Sequence, residues 1–199
     1  MKLHLPDVEA NAKPGIYKDL IGGARKRGEA YPKIWDLFAF QPPFTAHLSN
    51  FTEGVLRTPV ASLSPGMREL IAAFTSYLNE CAFCTKAHAA AASELLGEDL
   101  VAGVLHDLES SALRPREKAL LRFTARITID LPTLTKEHVT AVRGAGWDDE
   151  AIYFAITTCA LFNFYNRWIT ATGVPEMSAE AHRLQGQALA RHGYLRGEK

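Results

Sequence analysis

The chain has 199 residues and is 47% hydrophobic, which is normal for a globular protein with one sizeable core. Lys plus Arg and Asp plus Glu both number 22, so the zero net charge gives no electrostatic basis for binding nucleic acid or an anionic membrane. The sequence has no run of about 18 apolar residues and no apolar signal-peptide core at its start, so we expect a cytoplasmic protein without membrane contact.

The first part of the chain predicts an irregular arm and a turn, followed by two short helices. Residues 1–14 are polar and contain two prolines, which indicates a loose N-terminal arm. Residues 22–28 are basic and contain three glycines but match no complete phosphate-binding loop, so we interpret them as a solvated turn. Residues 31–57 predict two short helices broken at residues 41–43, with aromatic residues at the spacing of a core or subunit interface.

The remaining segments have the apolar period of helices, and no convincing set of strands is present, so we predict an all-α fold. Ser64 and Pro65 open a helix that runs to about Leu78. Further helices are predicted to end near Gly97 and Leu108, before Pro132, and near Gly144, Thr172 and Arg191. We expect one helical-bundle domain over residues 15–191 and a frayed tail over 192–199.

One weak internal repeat appears within this pattern. The segment around Leu63 and Pro65 resembles the segment around Leu113 and Pro115. A duplicated helical unit is one explanation, and chance similarity between two amphipathic helices is the other.

The most informative segment contains Cys81 and Cys84 at C-x-x-C spacing, followed four residues later by His88. On a helix these three side chains lie within an arc of about 60°. We expect Asn79 to be the N-cap and Glu80 to lie in the first turn, because both residue types suit a helix N-terminus. The helix dipole and a protonated histidine would then favour a thiolate.

Glu69 lies twelve residues before Cys81, so within one straight helix the two would be about 18 Å apart. If the chain instead turns back near residues 78–79, an antiparallel hairpin brings Glu69 level with His88. Carboxylate, imidazole and the Cys84 thiol would then form a proton relay. The alternative is a solvated Glu69, or one paired with Arg68 or Lys86.

The cysteine and histidine ligand types leave three interpretations open. Redox chemistry is favoured, because a C-x-x-C pair in a reducing compartment is seldom a structural disulfide. A metal site or a non-catalytic assembly role is the second, since Glu69 can add an oxygen ligand, and incidental packing is the third. Cys159 has apolar neighbours and is interpreted as an inert core thiol. We expect Asn163, Asn166 and Arg167 to satisfy buried backbone or subunit contacts, and a role in a pocket is the alternative.

The sequence contains Glu69, then eleven residues, and then Cys81-x-x-Cys84-x-x-x-His88. This pattern resembles the active-site signature of the alkylhydroperoxidase D-like proteins, in the carboxymuconolactone decarboxylase superfamily. The residues 161–167 also resemble the peroxidase-related branch. The resemblance implies an all-α fold, a homotrimer or homohexamer, and a redox-active dithiol. It implies that Cys84 attacks the peroxide, that Cys81 resolves the product to a disulfide, and that Glu69 and His88 move the proton. The decarboxylase branch lacks the cysteine pair, so decarboxylation is not expected.

The expected activity is therefore reduction of hydrogen peroxide or organic hydroperoxides, with an external dithiol or thiol as reductant and no haem, flavin or metal cofactor. Members of the family commonly carry a histidine directly before the second cysteine, and Phe83 occupies that position here. The residues alone leave the order of the cysteines open, because the earlier one feels the helix dipole more strongly. A protein thiol-disulfide oxidoreductase or redox sensor is the alternative function.

Overall fold

The computed structural model describes residues 2–195, which form eleven α-helices and one short 3-10 turn, Leu131–Thr133. The helices, numbered α1 to α11 in chain order, are Pro6–Ala10, Ile16–Arg27, Ile34–Phe40, Pro42–Arg57, Pro65–Leu78, Ala82–Leu96, Glu98–His106, Pro115–Ile129, Lys136–Gly144, Asp149–Thr172 and Ala179–His192. The described residues contain no strand, which confirms the all-α class. Within residues 2–195, none of the helices has the length and apolarity needed to cross a bilayer.

Helix α5 is the centre of the bundle. Its N-terminus is capped by Ser64, whose Oγ accepts a hydrogen bond from the Met67 N–H at 3.2 Å, and Pro65 occupies the first helical position as predicted. Every residue of α5 from Gly66 to Ser76 is buried, because α4, α6, α8 and α10 pack around it. A buried central helix places the polar residues it carries, including Glu69, out of contact with water.

The turn between α5 and α6 lies where the sequence predicts it, but its details differ. Asn79 is the C-cap of α5 rather than the N-cap of α6, and Glu80 is left-handed with φ of 55° rather than part of the first turn. The Cys81 N–H donates to the Ser76 carbonyl and the Glu80 N–H to the Tyr77 carbonyl, both at 3.0 Å, which is a Schellman motif. Cys81 therefore becomes the N-cap of α6, without a side-chain capping bond.

The N-terminal region is more regular than the sequence indicates. Residues 22–27 belong to α2, which ends at the left-handed Gly28, so the predicted solvated turn is wrong. Two adjacent glycines lower helix propensity, but burial of Ile21 and Ala24 compensates for this. The expected loose arm contains α1, and Leu3 is buried while the His4 N–H donates to the Thr172 carbonyl at 2.9 Å.

The last helix, α11, packs closely along α6. Gly186 makes this approach possible, because a Cβ atom at that position would lie 2.5 Å from Ala90 Cβ. Residues 193–195 of the expected tail are ordered against α4, where the Tyr194 N–H donates to Glu53 Oε2 at 2.6 Å. Residues 196–199 lie outside the described residues, and the domain boundaries stay a prediction.

Candidate functional site

Glu69 and His88 meet across the α5–α6 hairpin, as the sequence predicts. The antiparallel pairing of the two helices brings Glu69 Oε2 within 2.8 Å of His88 Nδ1. Both side chains are buried, with exposures of 0% for Glu69 and 8% for His88. The edge of the Phe162 ring packs on the imidazole with ring centroids 4.3 Å apart, so the histidine is held on two sides.

Two further residues, Arg57 and Tyr194, complete the surroundings of Glu69. Arg57 Nη2 donates to Glu69 Oε1 at 2.6 Å, and the Tyr194 hydroxyl donates to the same oxygen at 2.7 Å. The Tyr194 oxygen lies 3.2 Å from His88 Nδ1, and its ring stacks on the imidazole at 14°. Sequence reasoning missed both residues, since they come from the end of α4 and from the segment expected to fray.

The carboxylate of Glu69 is charged despite its burial. Burial by itself raises the pKa of Glu69, but the hydrogen bond from His88, the positive charge of Arg57 and the Tyr194 hydroxyl together hold it below its ordinary value. Burial and the neighbouring Glu69 charge raise the pKa of Tyr194 well above its ordinary value, so the phenol stays protonated and donates. The ion pair with Arg57 therefore leaves the four-residue cluster without excess negative charge.

The two cysteines of the motif are free thiols, each with 3% exposure. A hydrogen bond from the Cys84 thiol is the main cause that lowers the pKa of Cys81 to about 6, helped by the Cys84 N–H, Thr170 and Asn166. The same hydrogen bond, together with burial, raises the pKa of Cys84 well above its ordinary value. The pair therefore shares one proton near neutral pH, with the charge on Cys81 in the resting state.

Asn166 links the cysteines to the α5–α10 interface. Its Nδ2 donates to Ser76 Oγ at 2.8 Å, and its Oδ1 accepts from Asn79 Nδ2 at 3.0 Å. Asn79 Nδ2 also donates to Asn163 Oδ1 at 3.1 Å. Asn163 makes a backbone contact of the predicted kind, because its Nδ2 donates to the Cys159 carbonyl at 3.1 Å. The bonds of Asn166 are to side chains instead, and they include a contact with the thiols that the sequence did not indicate.

A cavity of about 80 Å³ opens beside the motif. Its wall includes Cys84 and His88, whereas Cys81 and Glu69 are not among the described residues that line it. The rest of the wall is mainly aromatic and aliphatic, contributed by Tyr17, Ile34, Trp35, Phe38, Thr52, Phe83, Ala87, Phe162, Tyr165, Ile169, Gln185, Leu189 and Tyr194. A molecule in this cavity meets one thiol and one imidazole in mainly apolar surroundings.

Phe83, which stands where a histidine is common in the family, supplies no proton-carrying group. Its ring is buried and packs against His182 of α11, with ring centroids 5.6 Å apart. Burial lowers the pKa of His182, so this second imidazole is neutral near pH 7.

The alternative partners considered for Glu69 are wrong. Arg68 donates to the Val55 and Thr58 carbonyls, and Lys86 pairs with Glu176 at the surface. Cys159 is fully buried, and burial raises its pKa, as expected of an inert core thiol. Across residues 2–195, no group of three or more His, Cys, Asp or Glu side chains is arranged to hold a metal ion, so the metal interpretation gains no geometric support.

Comparison with known proteins gives the same assignment as the motif. Residues 42–99, which contain Glu69 and the whole cysteine motif, match the carboxymuconolactone decarboxylase family. An uncharacterized peroxidase-related protein from Silicibacter sp. TM1040 has a similar structure, with 25% identity and a TM-score of 0.72 over 83% of this chain and 85% of that one. No curated protein matches the sequence.

A second similar structure is a protein from Ralstonia eutropha JMP134 described as an alkylhydroperoxidase AhpD core and as an uncharacterized peroxidase-related protein. It is 22% identical with a TM-score of 0.70, covering 85% of this chain and 88% of that one. The chain is therefore similar over residues 42–99 to the carboxymuconolactone decarboxylase family, and its all-α fold is that of the alkylhydroperoxidase-like structures, as the resemblance of its signature residues implies.

Proposed function

We propose that the protein is a thiol-dependent peroxidase that reduces hydroperoxides through a dithiol-disulfide cycle of Cys81 and Cys84. The observation that carries this proposal is the cavity wall, where the Cys84 thiol and the Glu69-supported His88 face the same small apolar space. A bound hydroperoxide there meets a sulfur nucleophile and a proton carrier together, which is the arrangement that covalent catalysis requires.

The chemistry divides into three balanced steps. The Cys84 proton first moves to His88, and the resulting thiolate attacks the terminal peroxide oxygen. The O–O bond breaks, the terminal oxygen stays on sulfur as a sulfenic acid, and the alkoxide takes the proton back from His88 to leave as an alcohol. The Cys81 thiolate then attacks the sulfenic sulfur, and the displaced hydroxide takes a proton from solvent to leave as water. An external dithiol reduces the disulfide by exchange and supplies both thiol protons, one of which returns to solvent as Cys81 ionises.

The roles of the two cysteines follow from access rather than from acidity. The lowered pKa of Cys81 favours this residue as the resting thiolate, but Cys84 is the cysteine that lines the cavity. A substrate must reach the sulfur, so we assign the attack to Cys84 and the resolving role to Cys81. Nδ1 of His88 is occupied by Glu69 and Tyr194, which leaves Nε2 as the atom for proton exchange with Cys84.

The test is mass spectrometry of the alkylated protein after one equivalent of tert-butyl hydroperoxide. We expect loss of two free thiols and a crosslink between Cys81 and Cys84. Cys84→Ser should abolish the reaction, and Cys81→Ser should stop after one turnover with a trapped sulfenic acid on Cys84. Cys159→Ser is the matched control and should behave as wild type. Thiols that stay alkylatable in the wild type would overturn the proposal.

Protein thiol-disulfide exchange is the second candidate, and the lowered pKa of Cys81 favours it. The burial of both cysteines opposes it, because a protein disulfide must contact the attacking sulfur directly. Comparing the rate of peroxide reduction with the rate of reduction of a protein disulfide separates the two functions. We also propose a cytoplasmic homotrimer or homohexamer, for which sedimentation velocity gives the subunit number.

A further inference from the structure

The cavity beside Cys84 has one polar wall residue whose hydrogen-bonding capacity is unused. Within residues 2–195, the buried side-chain oxygens without a hydrogen-bond partner are Thr75 Oγ1 and Gln185 Oε1. Gln185 lines the cavity, whereas Thr75 does not. A buried acceptor left without a donor costs free energy, so such an atom at a cavity wall points to a ligand that supplies the donor.

Four other polar groups of the wall are already hydrogen-bonded within the protein. The hydroxyls of Thr52 and Tyr165 lie 2.8 Å apart and bond to each other. The Tyr194 hydroxyl bonds to Glu69, and His88 Nδ1 is held by the same carboxylate. These groups therefore shape the cavity, and they leave the carboxamide of Gln185 to make the directional contact with a ligand.

The fold fixes the backbone of this residue. Gln185 precedes Gly186, the residue at which α11 comes so close to α6 that no side chain fits between them. The region of α6 that α11 contacts follows directly after Ala87 and His88, which also line the cavity. The helix crossing thus places Gln185 on the same wall as the imidazole, at a position that does not depend on a flexible loop.

We propose that Gln185 is the substrate-anchoring residue, and that its carboxamide oxygen accepts a hydrogen bond from the O–H group of a small hydroperoxide. This inference rests on the proposed peroxidase function and names how that site selects its substrate. The anchored atom is the terminal oxygen, which is also the one that the Cys84 thiolate attacks. That oxygen keeps its hydrogen when it passes to sulfur, so the sulfenic acid retains the bond to Gln185 until Cys81 displaces the oxygen as water.

The anchor is tested by comparing Gln185→Leu with Gln187→Leu, a substitution of the same type on the same helix at a position outside the cavity wall. In Gln185→Leu the second-order rate constant with tert-butyl hydroperoxide should fall about tenfold, through KM rather than kcat, because one buried hydrogen bond is lost. In Gln187→Leu it should stay within about twofold of wild type. Reaction of Cys84 with methyl methanethiosulfonate, which has no O–H donor, should be equal in all three proteins.

A second measurement keeps the anchor distinct from the peroxidase proposal. We expect 2-propanol to slow the modification of Cys84 by methyl methanethiosulfonate more than acetone does, since only the alcohol has a donor. This difference should disappear in Gln185→Leu and persist in Gln187→Leu. If the wild type consumes no peroxide while the difference behaves in this way, the peroxidase function fails and the anchor stands. Equal protection by alcohol and ketone in the wild type, or an unchanged peroxide rate in Gln185→Leu, would overturn the anchor.

Discussion

Glu69 shows how a single buried side chain can serve several neighbours at once. Its Oε2 faces His88, while its Oε1 accepts from both Arg57 and Tyr194. The arginine balances the charge that the carboxylate needs in order to orient the imidazole, and the tyrosine closes the cluster from the C-terminal side. A buried charge with fewer partners would be far more costly.

Tyr194→Phe is predicted to weaken both the fold and the reaction. The free energy of unfolding should fall by about 1–2 kcal/mol, because Glu69 loses a buried donor. Thiol oxidation by peroxide should slow several-fold as His88 loses one of its supports. Chemical denaturation and stopped-flow kinetics measure the two effects.

The matched control for this variant is Tyr31→Phe. The Tyr31 hydroxyl also donates to a buried carboxylate, that of Asp36 at 3.2 Å, but it lies outside the cavity wall. We expect a similar loss of stability with an unchanged peroxide rate. Equal rates in the two variants would show that Tyr194 has only a structural role.

The acidity of Cys81 gives a prediction of its own. Because the pKa of Cys81 is lowered to about 6, the ultraviolet absorbance of its thiolate should be half-maximal near pH 6, while Cys84 stays protonated at that pH. Cys84→Ala removes the main donor and should move the half-point upward, whereas Cys84→Ser retains a hydroxyl donor and should move it less. A wild-type half-point near the ordinary thiol value of 9.0 would contradict this assignment.

At the scale of the elements, the α6–α11 contact is the most sensitive part of the site. Gly186→Ala should lower the free energy of unfolding by about 1–3 kcal/mol, since the new methyl group meets the α6 backbone and the helices must separate. The same shift widens the cavity and should raise KM for the peroxide. Thermal unfolding and steady-state kinetics test both expectations.

Gly103→Ala provides the control for the loss of a helical glycine. Gly103 lies in α7, and a Cβ there has no neighbouring atom within 4 Å. Alanine has the higher helix propensity, so we expect this variant to be unchanged or stabilised by up to about 1 kcal/mol. Destabilisation of the two variants by equal amounts would argue against the close contact at Gly186.

Some elements of the site could be predicted from the sequence, and others could not. The α5–α6 hairpin was predictable, because Ser64 marks its start and the spacing of Glu69 and His88 is local. The role of Asn79 was not, since the turn requires a left-handed residue and Glu80, not glycine, adopts that conformation. Arg57 and Tyr194 contact Glu69 although they lie 12 and 125 residues from it in the sequence. The local spacing of residues cannot predict contacts between segments that far apart.

Two buried carboxylates give the whole molecule a distinctive response to acid. The pKa of Glu69 is lowered, so its contribution to stability is present above its ordinary value of 4.5 and is lost as the pH falls through the folded-state value. Burial raises the pKa of Asp36 above its ordinary value of 3.8. Protonation of Asp36 as the pH falls through this raised pKa therefore adds to the stability of the folded state.

The two substitutions should therefore change the acid branch of the stability curve in opposite directions. Relative to wild type, Glu69→Gln should lose less stability between pH 5 and pH 3, and Asp36→Asn should lose more. Urea unfolding at several pH values measures both slopes. Parallel curves for the three proteins would contradict the assigned pKa directions.

The hydrogen bonds to the Cys81 sulfur also affect how readily a disulfide between Cys81 and Cys84 would be reduced. Cys84, Thr170 and Asn166 stabilise a thiolate, and a disulfide carries no charge for them to hold. Stabilising the reduced form of a dithiol makes its disulfide a stronger oxidant. In the proposed cycle we therefore expect a raised reduction potential for the Cys81–Cys84 pair, so that electrons flow from an external dithiol to the protein and the disulfide is reduced rather than accumulated.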